Sequence, residues 1–166
     1  PHQTFMVFQL MFAIITPALI TGAFAERMKF STFVIFVIVW STVVYAPLAH
    51  WVWGSEGWLG LNGWGGMDFA GGAVVHISSG FAALAAVFIF GRRLRHGTDP
   101  MEPHNIPFVV LGASLLWFGW FGFNAGSALM SGGSATSAFV VTNTAAGAAA
   151  LTWALISRIH TGKVSV

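Results

Sequence analysis

Twelve charged side chains divide this 166-residue chain into long apolar runs, and their placement limits its possible folds more than any other feature. Residues 3–25, 30–55, 69–91 and 103–157 carry no formal charge. A soluble domain of this length carries about 40 charged residues, so an ordinary water-soluble globule is excluded, as is a disordered chain. With no cysteine, a disulfide-stapled secreted domain is excluded as well. The sequence pI of 9.7 comes from a surplus of two charges on a nearly uncharged chain, not from a basic surface, so no nucleic-acid partner is expected. The chain opens on Pro1-His2-Gln3, with neither an initiator Met nor a signal-peptide pattern, and is expected to be a piece of a longer membrane protein.

A bilayer core of about 30 Å takes about 20 apolar residues per helix. The first three runs hold one helix each. The last is too long for one and breaks at Ser131-Gly132-Gly133-Ser134, a loop signal. Five helices are predicted, at about 4–25, 31–53, 68–91, 106–130 and 135–157. The connections after the first, third and fifth helices hold Arg27 and Lys29, then Arg92, Arg93 and Arg95, then Arg158 and Lys163, which are all seven basic residues. Basic residues favour the cytoplasmic side, so the first helix is expected to start outside and residue 166 to be cytoplasmic. The fold class is therefore all-α, a polytopic membrane helix bundle. Pro17 and Pro47 are expected to kink the first and second helices.

One ionisable residue is deep in a predicted span. His76 lies about 12 Å along the third helix from Asp68. It fits either a hydrogen bond to a neighbouring helix or a place on a conduction path. Asp68 is expected to cap the start of that helix, where its charge suits the positive end. If helical, Asp68 and His76 are about 80° apart around the axis, which disfavours a direct pair. Trp53 sits at the outer end of the second helix, Phe8 about 6 Å inside the outer end of the first, and Phe12 one turn deeper on the same face. In the outward-running fourth helix, Ser127 is placed about 5 Å from the outer end, with Phe123 one turn deeper. These residues can be read as ordinary interfacial and core aromatics. They can also be read as a small-cation site, in which aromatic faces attract the cation, a serine oxygen accepts a hydrogen bond from it and a deep imidazole accepts or relays a proton. No metal-ligand spacing, phosphate-cradling glycine loop or Ser/His/Asp arrangement is present, so neither a cofactor nor an enzymatic activity is expected.

Several strings resemble the Amt/Mep/Rh family of ammonium transporters. They are Thr21-Gly22-Ala23-Phe24-Ala25-Glu26-Arg27, Ala49-His50-Trp51-Val52-Trp53-Gly54, Asp68-Phe69-Ala70-Gly71-Gly72-Ala73-Val74-Val75-His76, Pro103-His104-Asn105 and Gly119-Trp120-Phe121-Gly122-Phe123-Asn124-Ala125-Gly126-Ser127. Trp53 and Ser127 place the resemblance on the Amt branch. It implies an eleven-helix fold built on two inverted five-helix halves, of which this chain would be the third to seventh helices. Residues 4–91 would close the first half and 106–157 open the second.

The resemblance implies that Trp53, Phe12 and Ser127, with Phe8 nearby, form an outer ammonium recruitment site. Phe12 and Phe123 would gate the pore, Asp68 would stabilise the outer site without touching substrate, and His76 would be one of two pore histidines. The second lies beyond Val166. A homotrimer in the plasma membrane, the inner membrane in bacteria, is implied, as is a cytoplasmic PII-type signalling partner. The alternative is an ammonium sensor built on the same fold. A haem-bearing electron-transfer subunit needs two facing histidines at matching depth, and only His76 is deep.

Overall fold

The computed structural model describes residues 1–166, which form helices and turns without strands. Five helical spans are long and apolar enough to cross a bilayer: α1 (His2–Ala23), α2 (Phe30–Trp53), α3 (Gly72–Phe90), α4 (Ile106–Ala125) and α5 (Gly133–Thr161). With no water in hydrocarbon to satisfy N–H and C=O groups, such segments must pair their backbone internally, and helices do so. Hydroxyls within the spans follow the same rule. Thr16 Oγ1 donates to the Phe12 carbonyl at 2.6 Å and Ser78 Oγ to the Val74 carbonyl at 2.5 Å.

The helix limits depart from the sequence reading in three places. α3 starts at Gly72 rather than at 68, because residues 68–71 form a turn that passes through Gly71 at φ +97°. α4 ends at Ala125 rather than at 130, and Leu129 at φ +55° lies in the turn that follows. α5 runs to Thr161, beyond 157, and stops at Gly162 in the left-handed conformation.

Both prolines lie where the helix type changes. Pro17 lies in the last turn of the regular α-helix His2–Ala18, after which α1 tightens into a 3₁₀ turn at Thr21–Ala23. Pro47 follows a π-helical turn at Ser41–Tyr45. A proline lacks the N–H for its own bond and crowds the carbonyl four residues back, and a widened turn just before it relieves that crowding. Two more π-helical turns occur, at Gly72–Ile77 and Phe121–Ala125.

The chain separates into two compact units, Pro1–Asp99 and Pro100–Val166. In the first, Thr16, Ile20, Phe24, Val74 and Val75 are buried. Phe24 lies in the turn after α1, and its ring meets Phe33 and Phe36 of α2 at 5.5 and 5.4 Å and Phe90 of α3 at 6.4 Å. One aromatic thereby fastens three spans at their basic end. There the Arg27 guanidinium donates to the Gly91 carbonyl at 2.6 Å, and Arg93 forms a forked ion pair with Glu26.

In the second unit, Asn105 caps α4: its side-chain oxygen accepts from the Phe108 N–H at 3.0 Å, and Pro107 occupies the first turn, where an N–H has no helical partner. α4 and α5 join through Phe121 stacked on Phe139, with centroids 4.3 Å apart, and through Asn124 Nδ2 donating to Thr142 Oγ1 at 2.9 Å. Thr142 Oγ1 in turn donates to the Ala138 carbonyl at 2.6 Å, so this polar contact is closed within the unit.

Candidate functional site

The first unit brings together Phe8, Phe12, Trp53 and Asp68. Phe8 and Phe12 are one helical turn apart on α1 and meet edge to face with centroids 4.9 Å apart. Phe12 meets Trp53, at the end of α2, edge to face at 5.3 Å. Phe12 is 2% exposed, whereas Phe8 and Trp53 are half-buried, so the cluster is anchored at its centre and open at its rim. Edge-to-face packing satisfies the quadrupoles of the rings.

The indole is held at its polar end as well. Trp53 Nε1 donates to the backbone carbonyl of Asp68 at 2.9 Å. Asp68 is itself locked: Oδ1 accepts from the N–H groups of Gly71 and Gly72 at 2.6 and 2.8 Å, and Oδ2 from those of Ala73 and Val74 at 2.8 and 2.9 Å. One carboxylate thus takes four N–H groups at the start of α3, donors that a helix cannot satisfy internally. Asp68 caps this helix as expected of its charge, but from the preceding turn rather than as its first residue. The left-handed Gly71 makes that reach possible, and a Cβ there would lie 2.6 Å from Val75 Cγ2. The helical arithmetic relating Asp68 to His76 therefore does not apply, because residues 68–71 are not helical.

His76 lies within the π-helical opening of α3. Its N–H and that of Val75 share the Gly71 carbonyl, at 3.0 and 2.9 Å. Val74 and Val75 are fully buried in the unit while His76 is exposed on this chain. Wide turns of this kind recur at functional positions in helices.

The second unit links Phe123 and Ser127. Ser127 lies past the end of α4, not within it, and its Oγ donates to the Phe123 carbonyl at 2.6 Å. The ring of Phe123 stacks on Trp120 with centroids 4.6 Å apart and planes 13° apart. Sequence reasoning did not single out Trp120, although its spacing of three from Phe123 puts both on one helix face. It also passed over the Asn124–Thr142 contact, for which the signal was an amide side chain in an otherwise apolar span.

The arrangement in the first unit suits a small cation. Aromatic rings attract cations without the desolvation cost of a carboxylate, and the neighbouring acid is spent on backbone N–H groups. The sequence model of the Ammonium Transporter Family matches residues 1–166. This chain belongs to that family. It is 53% identical over 159 residues to an ammonium transporter of Bacillus subtilis, covering 96% of this chain and 38% of the relative. It is 54% identical over 155 residues to ammonium transporter Amt1 of Archaeoglobus fulgidus, covering 93% of this chain and 39% of the relative. A crystal structure of a point mutant of Candida albicans Mep2 superposes with a TM-score of 0.88 at 42% identity, over 98% of this chain and 36% of that one. The chain thus spans somewhat more than a third of the length of these ammonium transporter relatives. Its all-helical, membrane-spanning fold is the family's.

Proposed function

We propose that this chain forms part of an ammonium-conducting pore, and that Phe8, Phe12 and Trp53 supply the recruitment site at its outer mouth. The observation that carries the reading is the Phe12–Trp53 pair, buttressed by Phe8 and fixed by the Trp53–Asp68 bond, in a chain of this family. Ammonium is small enough to lie against aromatic faces, an attraction of up to about 2 kcal/mol per ring in a desolvated site. Ser127 completes the recruitment site by accepting a hydrogen bond from the cation. Phe12 and Phe123 gate the path below it, excluding water and hydrated ions. His76 stands deeper and accepts or relays a proton, which ammonium can donate and Na⁺ or K⁺ cannot.

In this reading Asp68 contacts no substrate: it fixes the outer site and supplies negative potential there. The two compact units correspond to the end of one inverted half and the start of the next. The protein sits in the plasma membrane with the start of α1 outside and residue 166 in the cytoplasm, as the clustering of all seven basic residues at or just past the ends of α1, α3 and α5 supports. It assembles as a homotrimer with one pore per subunit and meets a PII-type partner on the cytoplasmic side.

The test uses the full-length parent reconstituted in liposomes, with ammonium-evoked current and uptake recorded. His76→Ala abolishes the current while the oligomer stays intact on size exclusion. Trp53→Leu raises the half-saturating ammonium concentration by up to about 30-fold, the equivalent of 2 kcal/mol at 1.4 kcal/mol per decade. Absence of both current and uptake in well-folded wild type overturns the reading in favour of a sensor.

A further inference from the structure

Between α2 and α3, on the side opposite the basic connections, residues 54–66 form a tightly wound loop. Its turns hang from the end of α2. The N–H groups of Leu59 and Gly60 both donate to the Trp51 carbonyl, at 3.0 and 3.1 Å, that of Trp64 to the Trp58 carbonyl at 2.9 Å, and that of Gly66 to Leu59 at 3.0 Å. The winding tolerates no side chain at five of its six glycines, all but Gly65. A Cβ on Gly57 would run into the carbonyl oxygens of Trp51 and His50, and one on Gly63 into the backbone of Trp58.

This frame presents a ladder of three indoles. Trp51 meets Trp58 at 5.6 Å, and Trp58 meets Trp64 edge to face at 4.9 Å. The ladder grows more exposed along its length, from Trp51 at 40% to Trp64 at 80%, and Met67 beyond it is 82% exposed. No Nε1 of the three donates a hydrogen bond within the chain. Residues 54–66 contain no lysine or arginine, and their one charged side chain, Glu56, is exposed.

We propose that the Trp51–Trp58–Trp64 ladder seats this loop in the headgroup layer of the surrounding bilayer, taking zwitterionic or neutral lipid as its partner. Three observations select lipid. The ladder starts on the last turn of a membrane span, so Trp51 is already at interfacial depth and the other two rings continue from it. Indoles favour that layer because the ring is apolar while its N–H needs a polar acceptor, here a phosphate or ester oxygen. An acidic side chain without a basic one disfavours anionic headgroups. A rigid winding, moreover, holds the rings together without the partner, which lowers the ordering cost of binding. The same winding leads from Trp51 to Asp68, so a lipid-seated ladder braces the carbonyl that holds Trp53. The proposal rests on the membrane-spanning fold and not on what the pore conducts.

The experiment places an environment-sensitive nitrobenzoxadiazole label at Trp64→Cys of the full-length protein, with its other reactive thiols removed. The protein is reconstituted in phosphatidylcholine vesicles carrying bromine either near the glycerol backbone or near the acyl-chain end. The label is expected to emit blue-shifted relative to water and to be quenched more by the shallow bromines than by the deep ones. Adding Trp58→Ser, which removes the middle rung, shifts the emission to the red and reduces the quenching, while the oligomer remains intact on size exclusion. Aqueous emission quenched by iodide and by neither lipid overturns the proposal. Blue emission insensitive to both lipids also overturns it and assigns the ladder to a protein contact, between subunits where this position cross-links and within the full-length chain where it does not.

Discussion

Removing the Asp68 carboxylate is expected to be among the most destabilising single changes in the first unit. Its two oxygens accept four N–H groups at 2.6 to 2.9 Å. Gly71 and Val74 are buried, whereas Gly72 is exposed and Ala73 half-exposed, so water can replace the carboxylate at the last two and not at the first two. A buried donor left without an acceptor costs about 1–3 kcal/mol, and Asp68→Ala therefore costs about 2–6 kcal/mol. That is a large fraction of the 5–15 kcal/mol typical of a folded domain. Asp68→Asn keeps one oxygen for two of the N–H groups but loses the charge, which roughly halves each bond. It falls between wild type and Ala. Denaturant unfolding of the full-length protein in detergent micelles, followed by far-UV circular dichroism, measures the order. If Asp68→Ala unfolds within about 1 kcal/mol of wild type, the four bonds do not hold the start of α3 and the reasoning fails.

Gly71→Ala is expected to destabilise the protein by about 1–3 kcal/mol, because φ is +97° and the added Cβ meets Val75, and the same unfolding assay reads it. The Asn124–Thr142 bond between α4 and α5 is worth about 0.6 and at most about 1.7 kcal/mol, so a double-mutant cycle with Asn124→Ala and Thr142→Val should return a coupling in that range. Breaking the Glu26–Arg93 pair with Glu26→Gln should cost less than about 1 kcal/mol and lose its effect in high salt, since the two side chains are 55% and 45% exposed; salt-dependent melting of both forms checks this.

The five spans were legible because charge is costly in a bilayer and the sequence confines it to connections and, at Arg158, the last turn of a span. Their ends were less so. The stretch 68–71, an acid followed by uncharged residues, reads as the start of a helix, yet Gly71 takes the chain through a left-handed turn and Asp68 caps from a distance. Ser127 reads as helical by the same continuity, although α4 has already ended. The aromatic part of the candidate site was visible, since Phe8 and Phe12 share a helix face by spacing and Trp53 lies at the end of a span. The bond that fixes Trp53 was not, because its acceptor is a main-chain carbonyl that any residue at position 68 would supply. The π-helical turns were hidden too: widening a helix by one residue leaves its run of apolar letters unchanged.

That single extra residue sets the angular phase of everything after it. A π-helical turn advances the chain by one position without closing a regular turn, and one position in a helix is about 100° of rotation. The turn at Ser41–Tyr45 therefore fixes the direction in which Trp53 leaves α2, eight residues further on. The turn at Gly72–Ile77 does the same for the face on which the rest of α3 continues after His76. Shortening either by one residue would leave length, composition and hydrophobicity almost untouched while turning the functional side chains to another compass bearing. In such a helix the count of residues, not only their kind, is part of the site.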